Sequence, residues 1–234
     1  MSNPYAYAES VPVAKLSLDA RARFIVRTYV HLFGAIMGFT AIELALFSSG
    51  LAERIAMTML GGSWLLVMGG FILVSWIASK FAHRPSSPPL QYAALTLFVV
   101  AEAVVFVPLL WMAFTYVPGA ISTAAVITLA GFATLTFIVF WTRKDFSFLR
   151  TFLMWAGMGA MLLIVVSLFT GFSLGLWFPA GMVVVAGASV LYDTSNVLRH
   201  YRTDQHVAAA LALFASVALL FWYILRLLMS LSRD

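Results

Sequence analysis

The chain has 234 residues, is 63% hydrophobic and carries only 10% Asp, Glu, Lys and Arg, where a soluble domain carries roughly 25%. So few charges cannot clothe a water-facing surface, so lipid is the main solvent, and the absence of cysteine excludes disulfides, thiolate metal sites and a cysteine nucleophile. The net charge of +5 would suit nucleic acid, but the basic residues sit in loops between apolar runs, where membrane topology accounts for them.

The first twenty residues, MSNPYAYAESVPVAKLSLDA, are polar and lack the apolar core of a cleavable signal. Residues 1–23 are therefore read as a cytoplasmic tail, and the first helix as an uncleaved signal anchor. A spanning helix needs about 20 mostly apolar residues. Seven stretches meet that need: Phe24 to Ser49, Ile55 to Ser79, Gln91 to Tyr116, Gly119 to Trp141, Phe148 to Thr170, Ser173 to Asn196 and Val207 to Met229. Short connections make residues 24–234 one all-α, polytopic membrane domain, a seven-transmembrane-helix bundle. The segment HRPSSPPLQ is the strongest break, because its prolines cannot continue a helix.

Charge sets the orientation. Lys15, Arg21, Arg23, Arg27, Lys80, Arg84, Arg143, Lys144, Arg150, Arg199 and Arg202 fall on one side, and Arg54, Arg226 and Arg233 on the other, eleven against three. The positive-inside rule places the first set in the cytoplasm; seven spans then put the C-terminus outside, and a re-entrant helix 7 would return it to the cytoplasm. Gly34 and Gly38, Gly61 and Gly62, Gly69 and Gly70, and Gly157 and Gly159 offer close helix approach. Pro108 and Pro179 lie within spans, where either can kink a helix and free a carbonyl.

Charges deep in a bilayer cost about 2.5–3.5 kcal/mol or more each, so those present point to function. Asp193, in VLYDTSNVLRHY, falls about one and a half turns before Arg199. It reads either as a cation- or proton-binding carboxylate or as part of a polar helix end with Thr194, Ser195 and Asn196. Glu102 falls near the middle of its helix, and so must be protonated, paired or facing water. Glu43 and Arg226 both fall toward the outer side. Arg226 either snorkels to the interface or joins Glu43 or Glu102 in an internal polar network. His31 reads as an interfacial or hydrogen-bonded residue and not a metal ligand, since no second histidine is near it in the sequence. No HExxH, P-loop or GxSxG motif is present, and nothing supports catalysis or a resident cofactor.

Several stretches, in order, resemble the Bax inhibitor family of membrane proteins, in a bacterial form: FIVRTYVHLFGAIMGFTAIE, LTLFVVAEAVVFVPLL around Glu102, RKDFSFL, VLYDTSNVLRHY around Asp193, and the closing YILRLL. The resemblance runs from Arg21 to Leu228. It implies seven helices with one at the centre, and a pH-responsive cation leak, chiefly of calcium as a transient ion, in the bacterial inner membrane. It also implies a sensor made of one aspartate in helix 6 and one in helix 7. Asp193 matches the first, but the second position, ten residues before Arg226, is Ser216. Two touching carboxylates share a proton and titrate as a pair. Asp193 beside Ser216 lacks that repulsion and can accept a hydrogen bond instead. Gating is therefore expected to be weakened or moved to other groups, with Glu102 the substitute. The alternatives are a non-transporting membrane protein that regulates a membrane protease or a stress response, its tail (Tyr5, Tyr7, Lys15) meeting a partner, and a permease with carboxylates as proton-coupling sites. The missing inverted repeat speaks against the last.

Overall fold

The computed structural model describes residues 11–62, 64–84 and 87–232. Tyr5, Tyr7, Arg233 and Asp234 lie outside the described residues. Among the described residues, eight α-helices follow a short 3-10 turn at Val13–Lys15: α1 Leu18–Ser48, α2 Leu51–Gly61, α3 Trp64–Ala82, α4 Pro88–Tyr116, α5 Ala120–Thr142, α6 Leu149–Thr170, α7 Trp177–Arg199 and α8 His206–Leu231. Helix α1 begins at Leu18, six residues before the expected Phe24, because Ser17 caps it: its side chain accepts from the Ala20 N–H. At about 1.5 Å per residue α1 is some 46 Å long, so its polar first turns reach past the hydrocarbon. Left-handed residues precede α2 and α5 and close α5 and α6. Gly50, Gly119 and Gly171 have φ of 74°, 83° and 69°, and Arg143, the one non-glycine of positive φ among the described residues, has φ 50°. Glycine meets that backbone at no steric cost.

Among the described residues, six helices are long and apolar enough to cross a membrane. The span expected over Ile55 to Ser79 is instead broken into α2 and α3, which meet at 111°. Helix direction decides how that pair counts. His31 of α1 stacks on Tyr92 of α4, and further along both helices Phe39 meets Phe106. Helices α1 and α4 therefore run the same way. Two parallel spans joined by one connection require that connection to return, so α2 and α3 together carry the chain back, and the seven crossings stand. His206 and Phe214 of α8 meet His31 and Phe39 in the same order, so α8 is parallel to α1 as well.

The chain forms two compact units. The first comprises residues 1–112 and 197–214. Its core is a run of rings, Phe39, Phe98, Phe106 and Phe214, with centroids 5.1–6.1 Å apart. Toward the far end of α1, Ala52, Ala56 and Val107 are buried against Leu46, Phe47, Ile55 and Trp111. At the near end Val13 is fully buried, and its N–H bonds to the Tyr201 carbonyl. The second unit comprises residues 113–196 and 215–234. Within it Ala160, Met182 and Tyr223 form a buried cluster, and Phe178 meets Tyr223 edge to face. Helix α8 contributes to both units and is the most enclosed helix, with 72% of its most apolar stretch buried against 6% for α6.

Of the eight glycines picked out from the sequence, only Gly38 faces another helix, with Val99 3.8 Å from where a Cβ would stand. The close approaches in the second unit are made by Gly131 to Leu220 and Gly187 to Leu135. Pro179 falls in the first turn of α7, where proline is tolerated. Pro108 lies inside α4 and gives no N–H to the Val104 carbonyl.

Candidate functional site

Asp193 lies one turn after Ser189 on α7, so both project from one face of that helix. Ser216 of α8, only 3% exposed, comes between them. Its hydroxyl donates to Asp193 Oδ2 at 2.5 Å. The Ser189 and Ser216 hydroxyls are 2.7 Å apart. Either hydroxyl can donate in that pair, and Ser189 also bonds the Asp193 carboxylate, so both serines bear on it. Phe178 of α7 meets Tyr223 of α8 at a lower level of α7 and a higher level of α8. The two helices are thus antiparallel, which puts the three polar side chains at one height.

The sequence expectation that Asp193 would find Ser216 holds in this geometry. Ser189 was missed, though its signal is present: a serine four residues before a buried aspartate shares its helix face. Just beyond, Ser195 Oγ accepts from the Phe146 N–H at 3.0 Å and reaches the Lys144 carbonyl at 3.5 Å. Asp145 Oδ1 accepts from the Ser147 N–H at 2.9 Å. The RKDFSFL connection is thereby pinned to α7 two residues past Asp193. The polar helix end expected after Asp193 is thus present, formed by Ser195 and the RKDFSFL connection.

In the first unit Glu102 is 7% exposed on α4. It lies one turn from Phe98 and one turn from Phe106, and these rings join through Phe39 and Phe214. Glu43, one turn past Phe39 on α1, is equally buried, and neither carboxylate oxygen has a hydrogen-bond partner among the described residues. The expected internal polar network of Arg226 and Glu43 takes a different form. Arg226 is exposed on α8, as a snorkelling arginine is, and Glu43 is held in apolar surroundings. The need of a buried carboxyl for a neighbour is met at Asp193 and left unmet at Glu43.

These are the features of a multi-pass membrane protein with a hydroxyl-held aspartate between its last two helices. Residues 21–233 match the family described as inhibitor of apoptosis-promoting Bax1. The chain belongs to the Bax inhibitor family. It is 27% identical to Protein LIFEGUARD 4 of Arabidopsis thaliana, across 90% of this chain and 85% of that protein. It is also 27% identical to Bax inhibitor 1 of Schizosaccharomyces pombe, across 95% and 82%. A protein of Deinococcus radiodurans is 26% identical across 90% and 92%.

Proposed function

We propose that this Bax inhibitor family protein is a cation leak pathway, calcium being the ion, with Asp193 and its two serines at the gate between α7 and α8. The observation that carries the reading is the Ser189–Ser216–Asp193 chain. A carboxylate enclosed between membrane helices needs a partner. Here the partners are hydroxyls, which do not cancel its charge as a lysine or arginine would. Asp193 therefore keeps the capacity to take up a proton or a passing cation. Glu102, set among phenylalanines, is a second group whose charge state changes with pH, and it supplies the pH dependence that a missing second aspartate would otherwise give.

The orientation that goes with this reading places the N-terminus in the cytoplasm of a bacterial cell and the protein in its inner membrane. The eleven-to-three distribution of basic residues supports it. The test is calcium flux into liposomes bearing the purified protein, between acidic and neutral pH. Asp193→Asn is expected to change the flux, and Glu102→Gln to flatten its pH dependence. Protein that passes no cation at any pH ends this proposal. A stable partner drawn from native membranes together with absent flux would replace it with a regulatory, non-transporting role, which the lone aspartate also suits.

A further inference from the structure

All four histidines of the chain belong to the first unit, and two of them touch. His31 of α1 and His206, the first residue of α8, lie edge to face with ring centroids 5.0 Å apart. They are 175 positions apart in sequence. Tyr92 of α4 stacks on His31 at 5.4 Å and meets His206 at 6.5 Å. The Arg27 carbonyl, one turn back on α1, accepts from His31 Nδ1 at 2.6 Å and fixes that ring. His206 Nδ1 is buried without a hydrogen-bond partner among the described residues, while the His206 ring bonds to the Thr203 backbone.

We propose that His31 and His206 form a proton-operated latch that holds the start of α8 against α1 and α4. An edge-to-face pair needs one ring to present its electron-rich face. A second proton turns that face into a cation and sets two like charges side by side.

The charges facing the pair settle the sign. From α1 comes the Arg27 guanidinium, which repels a protonated His206. From the segment before α8 come the Thr203 carbonyl and the Asp204 carboxylate. Asp204 is already 3.5 Å from Arg202. From α4 comes the Tyr92 ring. One carboxylate shared with Arg202 cannot offset two imidazolium ions and Arg27, so double protonation breaks the contact.

The consequence is mechanical. Gln91 of α4 donates to the Asp204 carbonyl at 3.2 Å and the Arg84 carbonyl at 2.8 Å. Val13 and Tyr201 are joined by a backbone bond, and Tyr201 stacks on His83 at 6.2 Å. Opening the latch would therefore loosen residues 200–206 together with the segments bound to them.

The test uses the full chain in nanodiscs and needs no transport assay. With histidine carbon labels there are four signals, assigned by four single substitutions. The His31 and His206 titration curves are expected to be linked, so that His31→Phe, which keeps the ring on Tyr92, displaces the His206 curve and His206→Phe displaces that of His31. Amide exchange over residues 200–210, corrected for intrinsic rate, is expected to rise severalfold as the pH falls through the imidazole range in the parent and not in His31→Phe. Two independent curves, or an exchange response that survives His31→Phe, would overturn the latch.

Discussion

Ser216 on α8 donates its proton to Asp193 on α7, and that bond spans the position where the family resemblance implies a second carboxylate. A hydroxyl there joins the two helices at every pH at which Asp193 can accept. Ser216→Ala removes the donor, leaves Asp193 and Ser189 each short of a partner, and costs about 1–3 kcal/mol. Thermal unfolding in a fixed detergent measures this, and an unchanged midpoint would show that the bond contributes nothing.

Ser216→Asp places two carboxyls in contact. At acidic pH one shared proton holds them together. As the pH rises both ionise and repel. The stability of the variant relative to the parent is therefore expected to fall as pH rises, and to recover on acidification. A relative stability that is flat in pH would show that the second carboxyl turns away from the first.

Ser189→Ala is expected to weaken the same network as Ser216→Ala, since Ser189 touches both Ser216 and Asp193. The double variant should not equal the sum of the singles, and a coupling of about 0.5–3 kcal/mol is the range for neighbours in one network. Additive losses would mean the serines act separately.

What the sequence made legible follows the range of the interaction. Apolar runs announced the spans because a bilayer demands length and hydropathy within one segment. The Asp193–Ser216 pairing was reachable through the family resemblance, and Ser189 by the one-turn rule. Contacts such as His31 with His206 arise from how distant helices stack, and no local pattern carries that. The break between α2 and α3 was hidden for a related reason: Gly61 and Gly62 read as packing residues, yet a Cβ on Gly61 would meet nothing within 4 Å, and their local effect is to end α2.

Glu43 tests the cost of an unpartnered buried carboxyl. Its two oxygens meet no hydrogen-bond donor among the described residues. Glu43→Leu keeps the volume close and removes the polar group, so it should raise stability by about 1–3 kcal/mol. A loss in thermal unfolding would point instead to a water or ion that holds the carboxyl in the folded protein.

The direction of the helices makes the last prediction. Helices α1, α4 and α8 run parallel, by the order of His31 with Tyr92 and His206, and of Phe39 with Phe106 and Phe214. Parallel spans require an odd number of crossings between them, so the bent pair α2 and α3 must cross once and α5, α6 and α7 three times. The chain has no cysteine, so single exposed cysteines can be placed at will. Ser49→Cys, Phe172→Cys and Ser232→Cys should react with an impermeant maleimide from one side of a sealed vesicle. His83→Cys, Thr142→Cys and His200→Cys should react only from the other, the side that holds eleven of the fourteen basic residues. If Ser49→Cys and His83→Cys label from the same side, the α2–α3 pair dips into the membrane and returns. The parallel run of α1 and α4 would then have to be wrong, and with it the placing of Glu43 and Glu102 beside the same phenylalanine core.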